Sequence, residues 1–259
     1  GDDNNNDDDD DEKKLFRDAI YTQDIITTAL TNDNDDAASL ADSIQLCQLE
    51  WRYNDIQFTE SGSAILIDEY RWSDRMERKW KMLVPPTSTS STSSHTKKKS
   101  LVWERSWEDR YSSPGQPVQK RGRNGKYVIR ELKSAPGTIY LKGAGASTLG
   151  DRPFLDRMHL DTGVKERLWR CKAPTQGDLR PAEADVAAPS SEVGGTRLLA
   201  SEEREDVYET LVVILDDDDT ILMSRESKRT PTNYYLSSLS SLTTNKNLSL
   251  SSSSSSSSS

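Results

Sequence analysis

Apolar residues along this chain gather in short runs or alternate with polar ones, and tight-turn residues stand between the runs. Residues 64–67 (Ala-Ile-Leu-Ile) and 211–215 (Leu-Val-Val-Ile-Leu) are apolar at every position, as central strands covered on both faces are. Glu60-Ser61-Gly62 separates Ile56-Gln57-Phe58 from the first run, and the four Asp at 216–219 separate residues 210–215 from 220–223. Asn124-Gly125 divides residues 118–120 from 126–130, and an Asn-Gly pair supplies the positive φ angles that a hairpin turn needs. Pro136-Gly137 turns the chain into residues 138–141, and Asp161-Thr162-Gly163 turns residues 154–160 into 164–169. The pattern predicts antiparallel strands throughout.

One stretch carries a second period. Trp72, Met76, Trp80 and Leu83 recur at helical spacing, with Asp74/Arg78 and Glu77/Lys81 as i,i+4 pairs, which is the signature of an amphipathic helix. The alternative is two strands joined by a charged turn near residues 73–77. A coarser repeat favours strands: a strand, a tight turn, an apolar strand and later an aromatic strand recur from near Ile56, Val118 and Thr210. Units of about 40–50 residues of this kind are what propeller blades look like, and the same elements could also build a sandwich.

Composition divides the chain further. Residues 1–14 are an acidic, Asn-rich segment too polar to pack, and a disordered segment is expected. Residues 31–41 are a second polar, acidic interruption. Residues 87–100 (Thr/Ser, ending in three Lys before Ser100) and 172–206 (Pro-, Ala- and Glu-rich) read as insertions between strand-rich stretches. Residues 237–259 are largely Ser, have no packing rationale and are expected to be a disordered tail. The chain has 259 residues, 33 % of them apolar and 30 % charged, with a net charge of −9. Seven of those negative charges lie in the first eleven residues, and without them the charge is −2. The pI of 4.9 thus describes a tail, and a strongly basic nucleic-acid binder is excluded. No apolar run exceeds five residues, whereas a membrane-spanning helix needs about 18 or more. The N-terminus shows neither a secretory nor a transit pattern, and without an initiating Met the start is expected upstream. Two cysteines, Cys47 and Cys171, exclude a disulfide framework and a Cys-based zinc site. They leave one disulfide open, with a reducing compartment as the default.

Candidate chemistry is sparse. A serine hydrolase needs a nucleophile, a base and a group that orients the base. Of the two histidines, His95 lies in the Ser/Thr linker, and His159 in a strand is read as bonded to backbone or facing water. Gly145-Ala146-Ser147-Thr148-Leu149 lacks the second Gly of a nucleophile elbow. Gly143-Ala144-Gly145 has no helix after it to complete a phosphate cradle, so a turn between strands is expected. Residues 33–38 place Ala38 where a calcium loop needs Gly, and 216–219 is too short for one. Arg71, Arg75, Arg78, Lys79 and Lys81 interleave with Trp72 and Trp80, a combination that can bind single strands. Asp68, Glu69, Asp74 and Glu77 cancel that field, so packed tryptophans under a charged surface are expected. Asn247-Leu248-Ser249 is a glycosylation sequon in a Ser-rich context. No catalytic, cofactor-binding or metal residue is assigned; neither a nucleic acid nor a membrane is expected as a partner.

Longer motifs carry a resemblance. Residues 107–115 (Trp-Glu-Asp-Arg-Tyr-Ser-Ser-Pro-Gly) lead to 125–129 (Gly-Lys-Tyr-Val-Ile) and 141–147 (Leu-Lys-Gly-Ala-Gly-Ala-Ser). Pro153-Phe154-Leu155-Asp156 and 161–169 (Asp-Thr-Gly-Val-Lys-Glu-Arg-Leu-Trp) follow, then Tyr208-Glu209-Thr210, residues 224–228 and Asn233-Tyr234-Tyr235. In this order they resemble the N-terminal β-propeller of glutamyl endopeptidases of the chloroplast type, in the prolyl oligopeptidase family of serine peptidases. The resemblance covers residues 15–30, 44–86, 101–171 and 207–236, and is strongest over 107–169. It implies an all-β fold, a partial β-propeller domain over residues 15–236 with insertions at 87–100 and 172–206, and two strands over 71–83. It also implies a full-length protein that cuts peptides after Glu in the chloroplast stroma, with the cytoplasm as the alternative location. In that family the triad lies in a hydrolase domain after the propeller. The match ends near Leu236, so the chain is expected to be a non-catalytic fragment, inactive alone, whose peptide substrates are met through the full-length protein. Its open strand edges predict poor solubility. The alternative is a non-catalytic interaction scaffold built on a partial propeller.

Overall fold

A computed structural model describes residues 16–23, 43–84, 99–173, 207–215 and 217–242. The expected acidic segment 1–14 lies outside these residues, as do most of both insertions and the tail from residue 243. Within them the chain is mostly strand and turn, with a short helical turn over 239–242, and it divides into two compact units. The first comprises residues up to 109 together with 119–130, and the second comprises 110–118 and the chain from 131 onward.

In the first unit β1 (Asp18–Thr22) pairs antiparallel with β2 (Ile44–Leu49). Four consecutive strands, β3 (Arg52–Phe58), β4 (Ala64–Arg71), β5 (Met76–Leu83) and β6 (Ser100–Ser106), form an antiparallel meander in chain order. This is the blade unit that the sequence predicts. Residues 64–67 are buried at all four positions, as an apolar run on a central strand requires. Ile65, Ile67 and Met82 pack with Cys47 and Leu49, and Ile20, Ile56 and Trp80 border them. The helical alternative over 71–83 is set aside. Trp72 is exposed at a one-turn 3-10 segment (Trp72–Asp74), while Trp80 borders the core. Arg75 takes φ 60° at the corner, and β5 begins at the next residue. The i,i+4 pairs resolve otherwise. Asp74 binds Arg71, Arg78 binds Glu104 at 2.6 Å, and Glu77 binds Arg105 at 2.6 Å.

The Asn124-Gly125 hairpin forms as β8 (Gln119–Arg121) and β9 (Tyr127–Ile129), but not as the start of a blade. It belongs to the first unit, held by Glu60 N–H to the Ile129 carbonyl (2.9 Å) and by Lys120 to Glu60 (2.7 Å). The repeat read from near Val118 is corrected accordingly. Only Gly125 of the pair has positive φ (78°), and its N–H closes a turn onto the Gly122 carbonyl at 3.0 Å. A turn followed by a left-handed Gly needs one positive-φ residue rather than two.

The second unit holds a four-stranded antiparallel sheet in the order β12-β11-β10-β7. Its strands are β7 (Gln116–Pro117), β10 (Thr138–Gly143), β11 (Phe154–His159) and β12 (Lys165–Arg170). A three-stranded antiparallel sheet, β13 (Val207–Ile214), β14 (Thr220–Ser227) and β15 (Asn233–Ser238), follows. Tyr140, Leu155 and Leu168 of the larger sheet share a core with Leu211, Ile214, Ile221 and Met223 of the smaller. The lack of a packing rationale from residue 237 is corrected for its first residues. β15 runs to Ser238, and Leu239 is buried in this core with its N–H on the Asp219 carbonyl at 2.8 Å.

Candidate functional site

The acid–base candidates resolve into backbone contacts. His159, last in β11, accepts the Asp161 N–H on Nδ1 at 3.3 Å, which anchors the turn to β12. Ser147 Oγ donates to the Gly150 carbonyl at 2.7 Å and closes a loop. Neither hydrogen bond joins a nucleophile to a base. His95 lies outside the described residues. Gly143 and Gly145 serve packing. A Cβ on Gly143 would lie 2.7 Å from the Phe154 ring, and one on Gly145 2.0 Å from the Arg152 carbonyl oxygen. With φ 66° at Gly145, that loop admits glycine for both space and conformation.

The acidic turn residues 217–219 also work inward. Asp217 Oδ1 accepts the Thr220 N–H at 2.8 Å, and Asp219 accepts Ser238 Oγ (2.7 Å) and the Ser240 N–H (2.8 Å). These hydrogen bonds hold both carboxyls below the usual carboxylate range. Among the described residues no group of three or more His, Cys, Asp or Glu could hold a metal, and no helix is long and apolar enough to cross a membrane. Residues 33–38 and 247–249 lie outside the described residues. Cys47 and Cys171 are both free and buried, and burial raises both thiols above their ordinary value.

The Trp/Arg stretch is where charge and aromatics meet, in an arrangement that spacing alone does not reveal. Glu69, fully buried on β4, accepts the Trp51 N–H (3.0 Å) and Trp80 Nε1 (2.8 Å). Arg78 reaches Glu50 at 3.1 Å and Glu69 at 3.7 Å, and its guanidinium lies 3.8 Å from the centroid of the Trp51 ring. Arg71 stacks on the same ring at 4.3 Å. Lys79, buried on the other side of β5, donates to Asp68 at 2.7 Å. Burial nevertheless pushes the Asp68 carboxyl up, with Lys79 opposing it. These cations are neutralised within the sheet, so the single-strand reading finds no open basic surface here. At the corner, Trp72 (68 % exposed) lies 5.6 Å from Trp107 between ring centroids, with Arg75 over its ring at 4.4 Å.

The second unit has an equivalent buried acid. Asp156, opposite β12, is fully buried and holds Arg167, with Lys165 at 3.6 Å. Arg167 also stacks on Phe154 at 4.3 Å. Both buried acids sit on inner strands of four-stranded antiparallel sheets, within the stretches that carried the resemblance. The chain is similar to chloroplastic glutamyl endopeptidases. Over 127 residues, 48 % of the chain, it is 32 % identical to "Probable glutamyl endopeptidase, chloroplastic" of Oryza sativa subsp. japonica. It is 33 % identical over the same length to the protein of that name from Arabidopsis thaliana. The matched stretch covers 13 % and 12 % of those glutamyl endopeptidases, so the chain corresponds to a small part of each. No protein-family model matches. Among solved structures, TolB from Acinetobacter baumannii aligns with 75 % of the chain and 31 % of its own length, at 10 % identity and a TM-score of 0.29.

Sequence reasoning missed Glu69 and Asp156 as buried acids. Glu69 follows an apolar run, and Asp156 stands between Leu155 and Arg157. A carboxylate embedded at a core strand, with Arg in register across from it, was the available signal.

Proposed function

We propose that this chain is part of the non-catalytic β-propeller of a serine endopeptidase of the glutamyl type. In this reading the blades control which peptides reach a hydrolase domain supplied by the full-length protein. The observation that carries it is the 127-residue match to two chloroplastic glutamyl endopeptidases, coupled with meander sheets of the blade type. The relatives' names support a plastid location, with the stroma as the compartment proposed. Reading the transcript downstream of the Leu236 codon tests the proposal. Further strand repeats, then a Gly-x-Ser-x-Gly elbow with later Asp and His, are expected. A transcript that ends in the Ser run would overturn it. On the protein, a fluorophosphonate probe is expected to label the natural full-length product and to leave residues 1–259 unlabelled.

A further inference from the structure

Among the described residues, more than half of the guanidinium groups meet a carboxylate. Arg71, Arg78, Arg105, Arg110, Arg157 and Arg167 all do so. Arg152 and Arg170, at one end of the β10–β12 sheet, are bound differently. Arg152 Nε donates to the Cys171 carbonyl at 3.0 Å, and Arg170 Nη2 donates to the Gly145 carbonyl at 3.3 Å. Main-chain carbonyls orient a guanidinium without cancelling its charge. Arg170 Nε is buried and has no hydrogen-bond partner among the described residues, and a buried donor left unpaired calls for an explanation such as a missing ion. Among the described residues, the carboxylates around the pair have other partners. Asp151 binds Arg110 at 3.1 Å, Asp156 holds Arg167, and Glu209 accepts from Tyr235 at 2.9 Å with Arg225 at 3.4 Å. Burial, then the positive charges of Arg152 and Arg167, push Arg170 below the ordinary arginine value. Burial is the larger cause; the two neighbouring cations add to it and Asp156 opposes it. The sequence contributes to this geometry: Gly145 lets the loop come down onto the Arg152 backbone, whose N–H donates to the Gly145 carbonyl at 3.0 Å.

We propose that Arg152 and Arg170, beside the Gly145 loop, form a binding site for an oxyanion of the carboxylate or phosphate type. Two forks oriented by main-chain carbonyls, neither in an ion pair with a carboxylate of the described residues, match the planar, bidentate geometry that such anions take from arginine. The site does not rest on the peptidase reading, since it needs only this end of the sheet.

Ligand-observed NMR on the whole chain tests it. The probes are N-acetylglutamate amide, the neutral N-acetylglutamine amide, and inorganic phosphate. Saturation transfer reads the two amides, and the phosphorus line width reads phosphate. Binding of the glutamate probe or of phosphate, with at least a fivefold smaller response in Arg170→Gln and separately in Arg152→Gln, is expected. Arg123→Gln, which removes an equal charge from an exposed loop, should respond as the parent does. A response to the glutamate probe assigns the site to peptide carboxylates, and a response to phosphate alone assigns it to phosphates. No response to either anion, an equal response to the glutamine probe, or an equal loss in Arg123→Gln would overturn the proposal. Circular dichroism of each variant identifies any that fails to fold, and the parent's selectivity for anion over amide decides in that case.

Discussion

Glu69 shows how one side chain can fix a sheet. It is fully buried and accepts a main-chain N–H and an indole N–H from two different places in the chain. Removing it leaves both donors and Arg78 without their buried acceptor, and breaking a buried charged cluster from one side costs about 3 kcal/mol or more. Glu69→Ala is expected to lower the urea midpoint of the first unit by a corresponding amount, while Glu108→Ala, an exposed partner of Arg75, shifts it within about 0.5 kcal/mol. Gly145→Ala combines a positive φ with a Cβ placed on a carbonyl oxygen, and is expected to cost roughly 2 kcal/mol or more. Tyr235 adds a pH dependence. Burial first, then its hydrogen bond to Glu209, raises its phenol from 10.0 to about 12. The folded state holds this proton more tightly than the unfolded one, so the stabilisation is full below pH 10 and is lost as pH rises through about 12. An ultraviolet titration of phenolate is expected to lose its last step in Tyr235→Phe, and the variant's stability should fall less steeply between those pH values.

Elements were legible to different degrees. The strand pairs around Gly62, Gly163 and the Asp turn could be read because each turn is short and its chemistry local. Gly62 and Gly163 have φ near 70°, and Asp218 takes φ 60° in their place. The stretch 71–83 was ambiguous because its apolar spacing fits a helix, and only the corner at residues 72–75 breaks that spacing. The β8–β9 hairpin was predicted as a hairpin but assigned to the wrong sheet. Turn residues fix which two strands join, while a long-range bond such as Glu60 N–H to Ile129 fixes which sheet receives them. The Arg152/Arg170 pair could not be read at all, since 18 residues separate its members and their carbonyl partners lie on other segments. Element-scale reasoning also predicts that Lys120→Ala loosens the hairpin without unfolding the meander. Amide exchange should quicken over residues 119–129 and stay slow over residues 64–67, since one partly exposed ion pair contributes about 1 kcal/mol or less.

At the scale of the molecule, the smaller sheet ends at β15. Among the described residues no strand pairs with its outer side, and Tyr234 and Leu236 are exposed along it. β15 carries no charge and no proline, the two devices that usually keep an edge from pairing with another chain. The isolated chain is therefore expected to self-associate, with a sedimentation coefficient that rises with concentration. Leu236→Lys should suppress that rise, and a concentration-independent, cooperative thermal transition in the parent would contradict the expectation. The path of the chain has a different consequence. It leaves the first unit at Arg110, returns for residues 119–130 and leaves again at Glu131. The two units are thus interlaced along the sequence. A single recombination break placed at Asp109 would strand the hairpin with the wrong partner, and one placed after Arg130 would carry off residues 110–118, including the β7 edge strand. Exchanging either unit between related genes takes several coordinated breaks, so the units are expected to be inherited together.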